Sequence, residues 1–240
     1  MPAHDRDPGA APPRKRSDAG VVRFTARDIN GLVLAGDMYG APYDLLEAAL
    51  GVKAARLRGI TCRWRQAGLA HTGRIGPGPA WCWLTPAGMR AAGLHFPARR
   101  PPLARLAHIR AVLAARLDLE ASEEFTHGAA WWRSERRLRS AAGTNAGHVP
   151  DAEVHWPDEP ASPFPGQVWA VEAELTPKGA IRTTAIMTTL LARASGPHPA
   201  YDHVVYLCSP RALPGVRRAA AALGAGDRVE VHGLPEGALL

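Results

Sequence analysis

Residues 168–175 read Val-Trp-Ala-Val-Glu-Ala-Glu-Leu, an apolar strand pattern carrying two carboxylates two residues apart. Side chains two apart on a strand share a face. Glu172 and Glu174 therefore project together, while Val171, Ala173 and Leu175 face the other way. The rest of the run is apolar in both registers, the pattern of a strand covered on both faces. A buried carboxylate is costly unless it is paired or bound to a cation. The segment thus constrains the back of the chain to a covered sheet. Its acids either cluster for a purpose or lie on a solvated edge.

His148-Val149-Pro150-Asp151 precedes this strand, with 17 residues between Asp151 and Trp169. If Asp151 ends a neighbouring strand, three carboxylates converge. Three oxygen donors suit a hard divalent cation, Mg²⁺ or alternatively Mn²⁺. Such an ion can activate water against a phosphodiester. Asp151, Glu172 and Glu174 are accordingly the candidate metal ligands. Lys178 lies four residues beyond Glu174, about 13 Å away if the chain stays extended. It reaches the acids only if the chain turns back at Pro177.

This arrangement resembles the PD-(D/E)xK nuclease superfamily over roughly residues 131–233. One position departs from the pattern: Glu174 stands where the superfamily usually has lysine, two residues after its second acid. Some restriction enzymes of this fold keep Glu-x-Glu and still cleave. The resemblance implies that Asp151 and Glu172 bind Mg²⁺ and that Glu174 is a third ligand or the base for the attacking water. Lys178 would then stabilise the phosphate or stand by. In that fold a helix before the strands often supplies a further acid. Residues 131–138, Trp-Trp-Arg-Ser-Glu-Arg-Arg-Leu, are expected as a short helix, and Glu135 is the candidate. Its other reading is an ion pair with Arg139 one turn on.

Charge divides the chain. Residues 1–110 carry 17 Lys/Arg against 7 Asp/Glu, a net of +10, and residues 111–240 carry 12 against 15, a net of −3. A basic front and a mildly acidic back suggest two modules, the first facing a polyanion. Residues 1–22, rich in Pro, Ala and Gly with Arg14-Lys15-Arg16, are expected to be a disordered basic tail. No apolar run approaches 18 residues, so no transmembrane helix is expected, and the start lacks the apolar region of a secretory signal. The expected location is the cytoplasm. Cys62, Cys82 and Cys208 are scattered, against both a disulfide framework and a structural zinc site.

Residues 23–96 are expected to form a winged helix-turn-helix domain. Thr25 caps a first helix over residues 25–39 with Ile29, Leu32 and Val33 on one face. A second helix covers residues 43–50, ended by Gly51. A third covers residues 52–70, with Leu57, Ile60 and Trp64 turned inward. Its other faces carry Lys53, Arg56, Arg58, Arg63 and Arg65 and no acid. A hairpin follows over residues 71–75 and 81–84, with Arg74 near its Gly-Pro-Gly-Pro tip. Thr85-Pro86 opens a last helix closed by Gly93. In helix-turn-helix proteins of this order the third helix enters the major groove. Lys53, Arg56, Arg58, Arg63, Arg65 and Arg74 are the candidate contacts to double-stranded DNA. The alternative is a module for protein contacts or dimerisation.

Residues 97–130 are expected as a linker and connecting helix. The linker is Pro-rich, and Leu106, Ile109, Val112, Leu113 and Leu117 make the helix at residues 103–119 amphipathic. That helix could pack on either module or pair with a second copy. Residues 131–240 are expected to form an α/β restriction-endonuclease-like domain with a mixed sheet, which makes the chain α+β. Strands are expected near residues 149–156, 167–175, 202–208 and 228–232, with helices over 180–194 and 211–223.

Together these motifs resemble the replication-relaxation family. They are a winged helix, Trp-x-Ser-Glu-Arg-x-Leu-Arg, His-x-Pro-Asp-Ala, Ala-Val-Glu-x-Glu-Leu-Thr-x-Lys and Val-Val-Tyr-Leu. The resemblance spans about residues 24–233. It implies a protein of plasmids and mobile elements, acting in replication or DNA relaxation alongside replication or mobilisation proteins. No His-x-His or phosphate loop occurs, against attack by a tyrosine relaxase and against ATP-driven work. Two readings remain open. One is a metal-dependent endonuclease. The other is a non-catalytic transcriptional or replication regulator whose back domain dimerises or recruits a partner.

Overall fold

The computed structural model describes residues 24–142, 148–193 and 201–239. The basic tail expected over residues 1–22 lies outside the described residues. The first helix, α1 (Ala26–Asp37), is started by a reciprocal cap. The Asp28 N–H donates to Thr25 Oγ1 at 3.3 Å, and the Thr25 N–H donates to the Asp28 carboxylate at 2.9 Å. Next come β1 (Ala41–Pro42), α2 (Tyr43–Leu50) and α3 (Ala54–Gln66), then β2 (Ala70–Gly73), β3 (Trp81–Leu84) and α4 (Pro86–Ala91). The three strands form an antiparallel sheet in the order β1-β3-β2. β1 has only two residues, too few for any periodic signal.

The inner face of α1 differs from the expected one. Leu32 is fully buried, but Ile29 stays 37% exposed, and Gly31, Leu34, Ala35 and Gly36 turn inward instead. The reason is close approach. A Cβ added to Gly31 would lie 2.6 Å from the Trp64 ring, and one on Gly36 2.3 Å from the Leu94 side chain. The small residues, rather than the branched ones, let neighbours press against this helix. α3 turns Leu57, Ile60 and Trp64 inward, together with Thr61.

A short 3-10 turn (Leu103–Arg105) leads into α5 (Leu106–Glu120), followed by α6 (Glu123–His127). α5 is buried along its middle, with Ile109, Ala111, Val112, Leu113, Ala114 and Ala115 all inside. Even Arg110 is buried, its guanidinium held by Asp44 of α2 at 2.6 and 3.0 Å and by the Gly237 carbonyl at 3.1 Å. The helix is an axle between the front elements and a second sheet. One apolar cluster runs from Leu32 and Trp64 through Val112 and Leu113 to Val154, Val171 and Ala173.

That second sheet has five strands in the order β4-β5-β6-β7-β8. The elements follow along the chain as β4 (Trp131–Ser134), α7 (Glu135–Ala142), β5 (Ala152–His155), β6 (Val168–Glu174), α8 (Ala180–Arg193), β7 (His203–Cys208), α9 (Leu213–Ala222) and β8 (Val229–Gly233). β4, β5 and β6 pair antiparallel, while β6, β7 and β8 pair parallel. The sheet is mixed and the chain is α+β.

The helix expected over residues 131–138 is half right. Residues 131–134 form β4, and the helix starts at Glu135. Trp132 and Ser134 face inward while Trp131 faces out, a period of two that a four-residue run displays only against its partner strand. β6 is central and buries five consecutive residues, Ala170 to Glu174. One face of the sheet, with Val154, Val171 and Ala173, packs toward α5. The other, with Ala170, Val204, Tyr206 and Cys208, packs under Met187, Leu190, Val216 and Ala219 of α8 and α9. Among the described residues, no helix is long and apolar enough to cross a membrane.

Candidate active site at the end of the central strand

Glu172 and Glu174 are both buried on β6, on the face covered by α8 and α9. The antiparallel pairing of β5 with β6 puts Ala152 opposite Val171. Continued by one residue, it puts Asp151 opposite Glu172. On the other side, the parallel ladder aligns Tyr206 with Glu172 and Cys208 with Glu174. Neighbouring strands therefore deliver Asp151, Glu172 and Tyr206 to one rung, with Glu174 and Cys208 on the next.

Lys178 does come back. β6 stops at Glu174, Pro177 lacks the N–H that would extend a ladder, and the Lys178 ammonium pairs with the Glu174 carboxylate. Its charge also acts on Glu172. The 13 Å separation of an extended chain is removed by this reversal.

Each acid has a protein partner. Asp151 Oδ1 pairs with His108 Nε2 at 2.8 Å, and Asp151 Oδ2 accepts the Ala173 N–H at 2.9 Å. Glu172 Oε1 pairs with His148 Nε2 at 2.6 Å. Glu135 takes both Arg105 and Arg139 at 2.8 Å, so its intrahelical pair exists beside a second, tertiary one. Its own N–H donates to the Asp151 carbonyl at 2.9 Å, which places it beside the site.

Burial pushes the Glu172 carboxyl up to about 7; the His148 hydrogen bond opposes this, and the Asp151 charge adds to it. His108 is raised because the hydrogen bond and charge of Asp151 outweigh the burial that opposes its protonation. Tyr206 is pushed above the usual phenol range by burial and by the Glu172 and Glu174 charges. Its hydroxyl is buried with no hydrogen-bond partner among the described residues.

Among the described residues, no group of three or more His, Cys, Asp or Glu side chains is close enough to hold a metal ion. The expected trio is not such a group, and Glu174 pairs with Lys178. In donor chemistry alone, Asp151 and Glu172 still suit a hard cation. Asp151 and Glu172 supply carboxylate oxygens, the orphaned Tyr206 hydroxyl lies within their electrostatic reach, and Mg²⁺ commonly uses one or two carboxylates with water and phosphate oxygens.

Sequence reasoning gave no site role to His108, Arg105, His148 or Tyr206. His108 is 43 residues from the acid it pairs with, and no local pattern marks it. His148 was at least visible in the His-Val-Pro-Asp run, and Tyr206 in Val-Val-Tyr-Leu.

The basic set lies in the front elements. Lys53, Arg56, Arg58, Arg65 and Arg74 are exposed, and none of their side chains forms an ion pair among the described residues. Arg63 differs. It is half-buried and pairs at 3.3 Å with Asp28, which also accepts the Trp64 Nε1–H at 2.9 Å. Despite its burial, Asp28 stays below the usual carboxylate range through bonds from Thr25 and Trp64 and the Arg63 charge. Arg63 is thus tied to the start of α1, and Arg56 is the freer guanidinium.

No family model matches the chain, and no curated protein does. Among solved structures, the chain is similar to an O-methyltransferase family 2 protein from Planctomyces limnophilus DSM 3776, solved in complex with apigenin. The likeness has 16% identity and a TM-score of 0.20, and covers 87% of this chain but 60% of that one. At that TM-score it carries no argument about fold or function.

Proposed function

We propose that this chain is a DNA-binding protein of the replication-relaxation type, acting on plasmid or mobile-element DNA, with a PD-(D/E)xK-like cleavage site. α1 to α4 and the β2–β3 hairpin are read as a winged helix, and the five-stranded half as the nuclease-like domain. The observation that carries the reading is α3. It buries Leu57, Ile60 and Trp64 and leaves Lys53, Arg56, Arg58 and Arg65 facing solvent without a single acid on the helix. A helix whose exposed cations, Arg63 apart, have no acid partner among the described residues suits, beside a hairpin, the phosphate-lined major groove of double-stranded DNA.

Asp151 and Glu172 are the residues that would hold Mg²⁺ or Mn²⁺, which when bound would activate water and offset charge at the phosphate. Lys178 pairs with Glu174 beside them. His148 and His108 orient Glu172 and Asp151. A second reading, a non-catalytic regulator that dimerises or recruits replication or mobilisation proteins, is favoured by the pairing of every one of these acids with a protein base.

Salt-dependent binding tests the DNA reading on the full-length chain. Arg56→Gln should flatten the slope of log affinity against log salt by about 0.9 if Arg56 meets only phosphate. If Arg56 reads a guanine edge, it should cost about 1–3 kcal/mol and relax preference at one position. Arg63→Gln should change DNA binding less than Arg56→Gln does, and instead lower the melting temperature through loss of the Asp28 pair. A chain whose DNA affinity ignores both salt and Arg56 would have some other partner at α3.

A further inference from the structure

A second cationic feature lies away from α3, where the segment after α4 meets α7. A cavity of about 290 Å³ opens there, lined by Arg99, Arg136, Arg139, His95, Ser140 and the rings of Tyr39 and Phe96. Its charge is poorly neutralised. Arg136 is 6% exposed, yet its guanidinium hydrogen-bonds two neutral groups, the Gly36 and Pro97 carbonyls. It stacks on Tyr39 at 4.5 Å and on Phe96 at 4.4 Å. Arg99 is exposed, and its side chain has no hydrogen bond or ion pair among the described residues. Burial holds Arg136 below the usual arginine range; Tyr39, Asp37 and Glu135 oppose this and the Arg99 charge adds to it. Only Arg139 is committed to an acid, Glu135.

The cavity adjoins the acid site through one residue. Tyr39 also lines the small cleft that contains Asp151, His108 and Glu135. Its ring is gripped by Arg136 on the cavity side and by Arg105, at 5.3 Å, on the cleft side. Tyr39 has φ +63°, a left-handed conformation that non-glycine residues seldom adopt. Such a backbone persists where the surroundings over-determine it, and these positions gather at ligand-binding sites. Guanidinium groups with spare donors beside aromatic faces are the usual furniture of a phosphate or nucleic-acid site.

We propose that this cavity is a phosphate subsite, which seats a backbone phosphate of the same nucleic-acid strand that reaches Asp151 and Glu172. The proposal rests on the DNA reading above and adds to it a contact that α3 does not make. Arg99 and Ser140 supply the donors, Arg136 supplies the fixed charge, and Tyr39 separates the seated phosphate from the one at the acids.

The test uses the full-length chain, labelled duplex and single-stranded oligonucleotides, and the variants Arg99→Gln, Arg99→Glu and Arg56→Gln. Arg99 is exposed, so these chains should melt like the parent. Arg99→Gln is expected to weaken binding several-fold and to flatten the salt slope by about 0.7–0.9. Arg99→Glu should weaken it further. A second arm titrates a deoxynucleoside monophosphate and inorganic phosphate against the parent and Arg99→Glu. If Arg56→Gln weakens DNA binding while both Arg99 variants bind DNA and mononucleotide like the parent, the subsite is overturned and the DNA reading stands. If the parent binds mononucleotide but no DNA, and Arg99→Glu abolishes that binding, the phosphate pocket stands and its ligand is a free nucleotide. If the parent binds neither, both proposals fall.

Discussion

Replacing Glu172 by glutamine is expected to abolish metal-dependent DNA cleavage and, in the same protein, to stabilise the fold above pH 7. The two effects share a cause. Glu172 is buried and its carboxyl is pushed up to about 7, mainly by burial and further by Asp151. A folded-state value above the unfolded one means that the native protein binds the proton more tightly. The associated stability is fully present below about pH 4.5 and is lost as pH rises toward 7. Glutamine keeps the shape and removes the charge, so this loss should disappear. With each pKa unit equal to about 1.4 kcal/mol, a rise from 4.5 to about 7 makes the gain at pH 8 on the order of 3 kcal/mol. Thermal melts of parent and Glu172→Gln across pH 4–8, in chelator, would read it. Parallel curves would show that Glu172 ionises in the native state as easily as in the unfolded one. Cleavage of plasmid DNA in Mg²⁺ or Mn²⁺ should fall by about 10²–10³-fold or more in Glu172→Gln and likewise in Asp151→Asn. Cleavage that survives both substitutions, or persists in chelator, would remove these acids from the chemistry. No cleavage by the parent would leave the regulator reading.

Arg136→Ala is expected to cost about 3 kcal/mol or more, since two carbonyls lose their donor at about 1–3 kcal/mol each. The Gly36 carbonyl lies on α1 and the Pro97 carbonyl follows α4, while Arg136 itself lies on α7. The side chain therefore ties the front elements to the sheet. Its neighbour Arg137 repeats the tie, with Nε 2.8 Å from Asp37 Oδ1. Burial nevertheless raises Asp37 above the usual carboxylate range against the charges of Arg137 and Arg116. Arg136→Met keeps much of the packing against Tyr39 and Phe96 and should lose less. Urea unfolding should lower the midpoint in both variants. It should also show one transition for the parent, because a single apolar cluster crosses α5 from Trp64 to Val171. Two separate transitions in the parent would show that the halves fold independently. An unchanged midpoint in Arg136→Ala would show that water satisfies both carbonyls.

The strongly periodic elements were legible in the sequence. Alternation along residues 168–175 gave β6 and put Glu172 and Glu174 on one face, because strand geometry leaves no other choice. Thr25 marked the start of α1, and Gly51 the end of α2, because capping is local chemistry. What failed was equally physical. Residues 131–134 hold too few residues to display a period, and only pairing with β5 made them a strand. The inward face of α1 was set by how closely Trp64 and Leu94 press on Gly31 and Gly36, which no property of α1 alone reveals. Sequence placed Asp151 and Glu172 together through their motif. It did not supply the state of the site. His108 from α5, Tyr206 from β7 and the returning Lys178 decide which acids are paired and which proton is held. Those partners are remote in the chain or lie beyond a turn, so only the tertiary packing brings their charges within range.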